Sequence, residues 1–174
     1  MAITNMKYDT ANRHTFTITS INTLGDGEFA STDIFDNTTF LAMDAAIYGE
    51  FTFGASGPID GETINIYLTP IFSDGVEDFF NADLDSAMQT DAGNSLIVDD
   101  TDFILENLIL AKVISMNATA SKVYGFVIPS VAQILGMMPE KLQCIVENTA
   151  ATAADNFAAS GNEMHLTPAE FESA

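Results

Sequence analysis

Apolar and polar residues alternate with a period of two in several short segments, and no window of helical length carries the i, i+3, i+4, i+7 spacing of a capped amphipathic helix. His14 to Ile21 sets Phe16 and Ile18 on one face and Thr17 and Thr19 on the other, and the turn residues Leu24-Gly25-Asp26-Gly27 close the run. From Ala42 to Phe53, the residues Ile47, Phe51 and Phe53 share a face opposite Tyr48, Glu50 and Thr52. Gly49 inside that run predicts a bulge or a close crossing against the facing sheet. Gly54 to Pro58 breaks the strand, and Thr63 to Phe72 resumes it with Ile64, Ile66 and Leu68 inward and Pro70 suited to an edge or a strand end.

Ser73 to Asp102 is acidic, has no sustained period and reads as a long excursion, with a helical turn at Val76-Glu77-Asp78-Phe79-Phe80. An irregular stretch of this length suggests function or partner contact. Phe103 to Met116 is read as a strand in preference to a short helix. Ser121 to Ile128 puts Val123 and Val127 on one face and Tyr124, Phe126 and Ile128 on the other, and Pro129 stops it. Ser130 is placed to cap one helical turn through Leu135 that Gly136 ends. Lys141 to Asn148 is a further strand. Thr149 to Ala159 is a loop or short helix, and Ser160-Gly161-Asn162 turns into a last strand near Glu163 to Thr167. About six to eight short strands with Gly and Pro punctuation predict an all-β, antiparallel two-sheet sandwich, jelly-roll-like, with short helical turns. Residues 1–12 are expected to be an N-terminal arm, and residues 13–174 a single sandwich domain with its acidic excursion at about 73–102.

Charge narrows the function. The 174 residues hold 25 Asp and Glu against 5 Lys and Arg, a formal net charge of −20. Lys7, Arg13, Lys112, Lys122 and Lys141 are too scattered to form the basic stripe that a polyphosphate or an anionic membrane requires, so neither nucleic acid nor a membrane is an expected partner. The surplus acidity reads as a solvated, self-repelling surface. Cys144, alternating with Leu142 and Val146, reads as a small buried hydrophobe, and a lone cysteine forms no internal disulfide. Met1 to Thr10 lacks a signal-peptide apolar core and no stretch approaches the roughly 20 apolar residues of a membrane span, so synthesis as a soluble chain in the cytoplasm is expected.

Catalytic, cofactor and metal chemistry finds no constellation. His14 and His165 each sit in a Thr-rich strand without a neighbouring nucleophile pattern. Asp83 with Asp85, and Asp99, Asp100 and Asp102, offer oxygen ligands to calcium but lack the loop pattern of an EF-hand, so a solvated loop is the preferred reading. With 25 acidic residues, carboxylate pairs carry no information about glycosidase activity. The glycines form no phosphate-binding loop. Met137-Met138 reads first as core filling and second as an adaptable contact patch.

An ordered set of segments resembles a family of small virion structural proteins of tailed phages. The set comprises Phe35-Asp36-Asn37-Thr38-Thr39 after an early strand, the strand Ile64-Asn65-Ile66-Tyr67-Leu68, and Pro129-Ser130-Val131-Ala132 ahead of Gly136 and Pro139. A strand running into Val146-Glu147-Asn148-Thr149 and the turn Ala159-Ser160-Gly161-Asn162 complete it. The resemblance covers most of the chain. The acidic excursion and the charge depart from the family pattern. It implies a non-enzymatic decoration or cement subunit on the capsid surface of a virion, with no cofactor. Its partner would be the major capsid protein, and self-association, with a trimer as one form, is expected on the particle. A tail or fibre-attachment position and a carbohydrate-binding adhesion module are the alternatives. Met6 and Tyr8, in an arm free to order on a neighbour, and Phe79 and Phe80 in the excursion are the expected partner-contact residues. Like-charged copies repel at low ionic strength, so assembly is expected to improve with salt or divalent cations.

Overall fold

A computed structural model describes residues 5–18, 21–22, 24–25, 27–71, 108–149 and 156–172. Ten strands and two short helices make up this part of the chain. The strands are β1 (Asn5–Tyr8), β2 (His14–Thr15), β3 (Phe29–Ser31), β4 (Phe35–Asp36), β5 (Asp44–Thr52), β6 (Thr63–Ile71), β7 (Ile109–Ser115), β8 (Val123–Ile128), β9 (Lys141–Asn148) and β10 (Glu163–Glu172). The helices are α1 (Asn37–Phe40) and α2 (Val131–Leu135), and a 3-10 turn at Thr10–Asn12 joins β1 to β2.

The strands form two five-stranded antiparallel sheets. Sheet I runs β1–β10–β5–β8, with β2 also on β10; sheet II runs β3–β9–β6–β7, with β4 also on β9. β1 and β2 are the two halves of one interrupted strand along β10, and β3 and β4 stand in the same relation to β9. Counted so, the described residues hold eight strands that pair first with eighth, second with seventh, third with sixth and fourth with fifth. Four such antiparallel pairs wound into two facing sheets are a jelly roll. The all-β two-sheet sandwich expected from the alternation is thus the observed fold.

The alternation does its work where both ends of a strand were legible. β8 buries Tyr124, Phe126 and Ile128 and exposes Val123, Gly125 and Val127. Ile47 and Phe51 of β5, Ile64, Ile66 and Leu68 of β6, and Leu142, Cys144 and Val146 of β9 close the core between the sheets. Phe51 stacks on Phe126 and Phe157 with centroids 5.3 and 5.4 Å apart, and Phe53 meets Phe157 edge-on at 5.0 Å, where the two residues also form an isolated bridge. Burial of rings of this size is the main source of stability in a sandwich. Cys144 is buried and its thiol pKa is raised by that burial, as suits a packing residue.

Two expectations change in detail. Gly49 marks a close approach, but to the neighbouring strand and not to the facing sheet: a Cβ placed there would lie 2.1 Å from the Glu163 carbonyl oxygen of β10. From Asn5 onward the expected arm is a strand, hydrogen-bonded along β10 in the register Asn5↔Glu172 to Tyr8↔Ala169. Prolines fall where a ladder is open. β7 reaches only as far as Leu68, so among the described residues β6 has a single neighbour at Pro70. Pro168 sits within β10, and its carbonyl accepts from Asp9 N–H at 2.8 Å on the side where β1 and β2 are interrupted. A residue's N–H and C=O point the same way in a strand, so the missing donor of Pro168 faces the interruption.

Candidate functional site

One end of the sandwich collects the features that suit contact with a partner. Ile71 and Asp36 both pair with Lys141, so β6 ends, β4 ends and β9 begins at this end; β5 begins there beside the tail of β10. The segments 37–43 and 129–140 therefore lie together. Asn37 pins them. Its amide nitrogen donates to the carbonyls of Ala42 and Pro139, each at 3.2 Å, and its side-chain oxygen accepts from Ala42 N–H at 2.8 Å. Its own backbone N–H donates to Glu140 O at 2.7 Å.

Local chemistry builds each loop. Asp36 caps α1 by accepting from the backbone N–H and the hydroxyl of Thr38 at 2.8 and 2.5 Å, and those two bonds hold its carboxyl below the usual range. Phe40 stacks on the buried Phe35. Ser130 caps α2 through Gln133 N–H at 3.0 Å, and Gly136, at φ 82°, ends it in the left-handed region as the sequence predicted. The buried Asp44 carboxylate accepts from Ala45 and Ala132 N–H at 2.7 and 2.8 Å, tying β5 to the start of α2. Tyr8 donates its hydroxyl to Pro129 O at 2.7 Å, and burial, with the Asp44 charge behind it, raises its pKa.

From this pinned frame project Leu41, Met43, Met137 and Tyr8, which are 76%, 57%, 57% and 42% exposed. Leu41 adopts φ 51°, ψ 33°, the left-handed conformation that a residue with a Cβ rarely takes outside glycine and asparagine. The frame forces that backbone and leaves an isobutyl group in solvent, an arrangement that packing alone does not explain. Tyr8, one of the contact residues expected from the sequence, lies at this end, with its hydroxyl on Pro129 O. Met6 lies in β1 opposite Phe171, and Phe79 and Phe80 lie outside the described residues. Met137 is on the surface while Met138 packs against the core, dividing the two readings of that pair. Leu41 and Met43 have no sequence signal, since their exposure depends on how Asn37 closes the loop.

Elsewhere, the outer faces of the sheets carry polar groups in cross-strand sets. On the outer face of sheet I, His165 Nδ1 lies 3.0 Å from Thr15 Oγ1 and its Nε2 lies 3.5 Å from Glu163 Oε1. Thr15 is the register partner of His165, and Glu163 is two residues along the same strand, so the trio follows from strand pairing alone. His14 Nε2 lies 3.1 Å from Asp33 Oδ2. On the outer face of sheet II, Asn65 and Tyr67 both donate to Glu147 Oε2, at 2.8 and 2.7 Å. Among the described residues, no group of three or more His, Cys, Asp or Glu is disposed to hold a metal ion, and no helix is long and apolar enough to cross a membrane. The Asp83 to Asp102 carboxylates lie outside the described residues.

The Tyr67 cluster makes a pH prediction. Burial first, and then the bond to Glu147 and its charge, push the Tyr67 phenol up to about 12 from 10.0. The folded state therefore keeps a proton that the unfolded chain loses near its ordinary value. The associated stability is complete below that value and is lost as the pH rises from about 10 towards about 12. Denaturation midpoints across that window are expected to fall, and E147Q is expected to lower the Tyr67 transition in an absorbance titration while burial holds it above the ordinary phenol value. An unchanged transition in E147Q would remove Glu147 from the cause.

The jelly roll defines the class of the protein at the level of fold. Neither a protein-family model nor a curated protein matches its sequence.

Proposed function

We propose that this protein is a structural subunit of a tailed-phage particle, most simply a decoration or cement protein that binds the outer shell through the major capsid protein and reinforces it. Its place would be the capsid surface, after synthesis in the host cytoplasm. A tail or fibre-attachment position is the close alternative. Supporting this reading, an eight-stranded jelly roll is an architecture of viral capsid domains. The observation that carries it is Leu41, held exposed in a left-handed conformation at the end that also exposes Met43 and Met137, on a strongly acidic molecule. A decoration subunit needs such an apolar anchor, because its charge opposes crowding of like copies on a shell.

Co-sedimentation of the purified protein with particles lacking it, followed by counting copies, tests the proposal. Hundreds of copies, scaling with capsid subunits, are expected, with binding that improves as salt screens the copies from one another. A handful of copies would move the protein to the tail or a vertex. L41G separates anchor from fold: it relieves a left-handed residue and is expected to keep stability within about 1 kcal/mol, yet to weaken particle binding at least tenfold. Undiminished binding by L41G would remove this end from the contact.

A carbohydrate-binding module is the second reading. Jelly rolls also serve as lectin domains, and Asn65, Tyr67 and Glu147 stand side by side on the open face of sheet II. Absence of particle binding together with a specific hit in a glycan screen would favour it.

A further inference from the structure

Among the described residues, the four sheet edges differ in a way that singles out β8. On one side, β1/β2 and β3/β4 are interrupted and short, with no piece longer than β1 at 4 residues. β7 is longer but blunted. Its register against β6 slips between Ile66 and Tyr67, which leaves Ala111 as an extra, bulged residue. Lys112, the partner of Ile66, lies on the core-facing side of this edge. Bulges and inward charges are devices that keep an edge from pairing with another chain.

β8 has neither device. Its 6 residues, VYGFVI, run in unbroken register with β5 and contain no charge. Phe53 N–H donates to Lys122 O, so Thr52 and Val123 form a pair without mutual hydrogen bonds. By alternation Tyr124, Phe126 and Ile128 bond to β5, while the N–H and C=O groups of Val123, Gly125 and Val127 point away from it, to the open edge. Among the described residues nothing accepts or donates there. The side chains of Val123 and Val127 are 48% and 52% exposed.

The residues 123–127 read Val-Tyr-Gly-Phe-Val, valine and aromatic positions mirrored about Gly125. A two-fold interface requires that if one residue contacts another, the second contacts the first on the opposite copy. Antiparallel pairing of two β8 strands about Gly125 meets this at every position. Val123 faces Val127 of the second copy, Gly125 faces Gly125, and Tyr124 faces Phe126. The edge-directed groups then exchange roughly six main-chain hydrogen bonds. Gly125 also leaves room at the axis, since a Cβ there would meet only the Gly49 carbonyl oxygen, at 3.9 Å. An uncharged strand is, besides, where two copies of charge −20 can approach at least electrostatic expense.

We propose that β8 is a self-association edge: two copies of the chain pair antiparallel through Val123–Val127 about a two-fold axis at Gly125, joining their five-stranded sheets into one. The dimer is independent of the particle-binding reading, and it is tested on the free protein.

Sedimentation velocity of the full chain across protein and salt concentration is the measurement. A monomer–dimer equilibrium that tightens at least tenfold from low to moderate salt is expected. V123K/V127K places like charges opposite each other at both pairs and is expected to abolish the dimer. V123K/V127E places opposite charges at both pairs and is expected to restore it, now weakening as salt rises. Both positions are exposed, and far-UV circular dichroism confirms that the fold is kept. A monomer at every concentration, a dimer that persists in V123K/V127K, or failure of V123K/V127E to restore pairing would each overturn the proposal.

Discussion

Gly49→Ala is expected to destabilise the protein by about 3 kcal/mol or more, a substantial part of the total stability of an ordinary domain. The methyl group would have to occupy space 2.1 Å from the Glu163 carbonyl oxygen and 2.9 Å from the Met164 Cα, and both are backbone atoms of β10. A side chain can rotate away from an intruder, whereas a strand in continuous register from Glu163 to Ala169 moves only by giving up its ladder to β5. Flanking residues leave no slack, since Ile47, Phe51 and Met164 are all fully buried. Gly125→Ala on the adjoining strand is the control. A Cβ there has open space, and replacing a strand glycine by alanine is expected to be neutral or to stabilise by about 0.5–1 kcal/mol. Urea midpoints at low protein concentration measure both. A Gly49→Ala midpoint equal to the wild-type one would mean that β5 and β10 approach less closely than this geometry requires.

The same glycine shows how far the sequence reaches. A glycine in an alternating strand announced a close contact, but alternation carries no information about which neighbour is close. Strands whose inner face is a run of large apolar residues were legible almost to the residue: Lys141–Asn148 begins and ends as expected, and the Ser130 and Gly136 caps of α2 were readable from side-chain chemistry alone. β3 and β4 were not. They are 3 and 2 residues long, and Ser31 and Thr32 are buried polar residues that look like solvent-facing ones. Thr32 satisfies itself in place, its hydroxyl accepting from Cys144 N–H and donating to Asp33 O. β1 and the far half of β10 were hidden for a related reason. Pro168 reads as the end of the last strand, yet the interruption between β1 and β2 gives its missing donor a place to face. At the candidate site, Tyr8 and Met137 were visible as residue types, while Leu41 became a candidate only through its backbone conformation.

Asn37→Ala is expected to cost about 3 kcal/mol and to abolish the proposed particle binding at once, which would tie the stability of this end to the proposed function. The side chain satisfies buried groups of two separate loops, accepting from Ala42 N–H and donating to Ala42 O and Pro139 O. Alanine removes every one of these bonds without supplying water to a buried site, and a buried donor or acceptor left unpaired costs about 1–3 kcal/mol. The loop that carries Leu41 and Met43 then loses its register with the loop that carries Met137. Asn37→Asp distinguishes the contributions. It keeps an acceptor for Ala42 N–H but turns the donor towards two carbonyls into a second acceptor, so it should be as damaging as alanine near neutral pH and should partly recover as the pH falls and its carboxyl takes up a proton. Thermal melts, read beside co-sedimentation of the same variants, separate two cases. Loss of binding in Asn37→Ala with the fold intact below its melting temperature places the anchor in the pinned frame. Full binding by a destabilised Asn37→Ala would show that the exposed side chains reach the shell without being held in this arrangement.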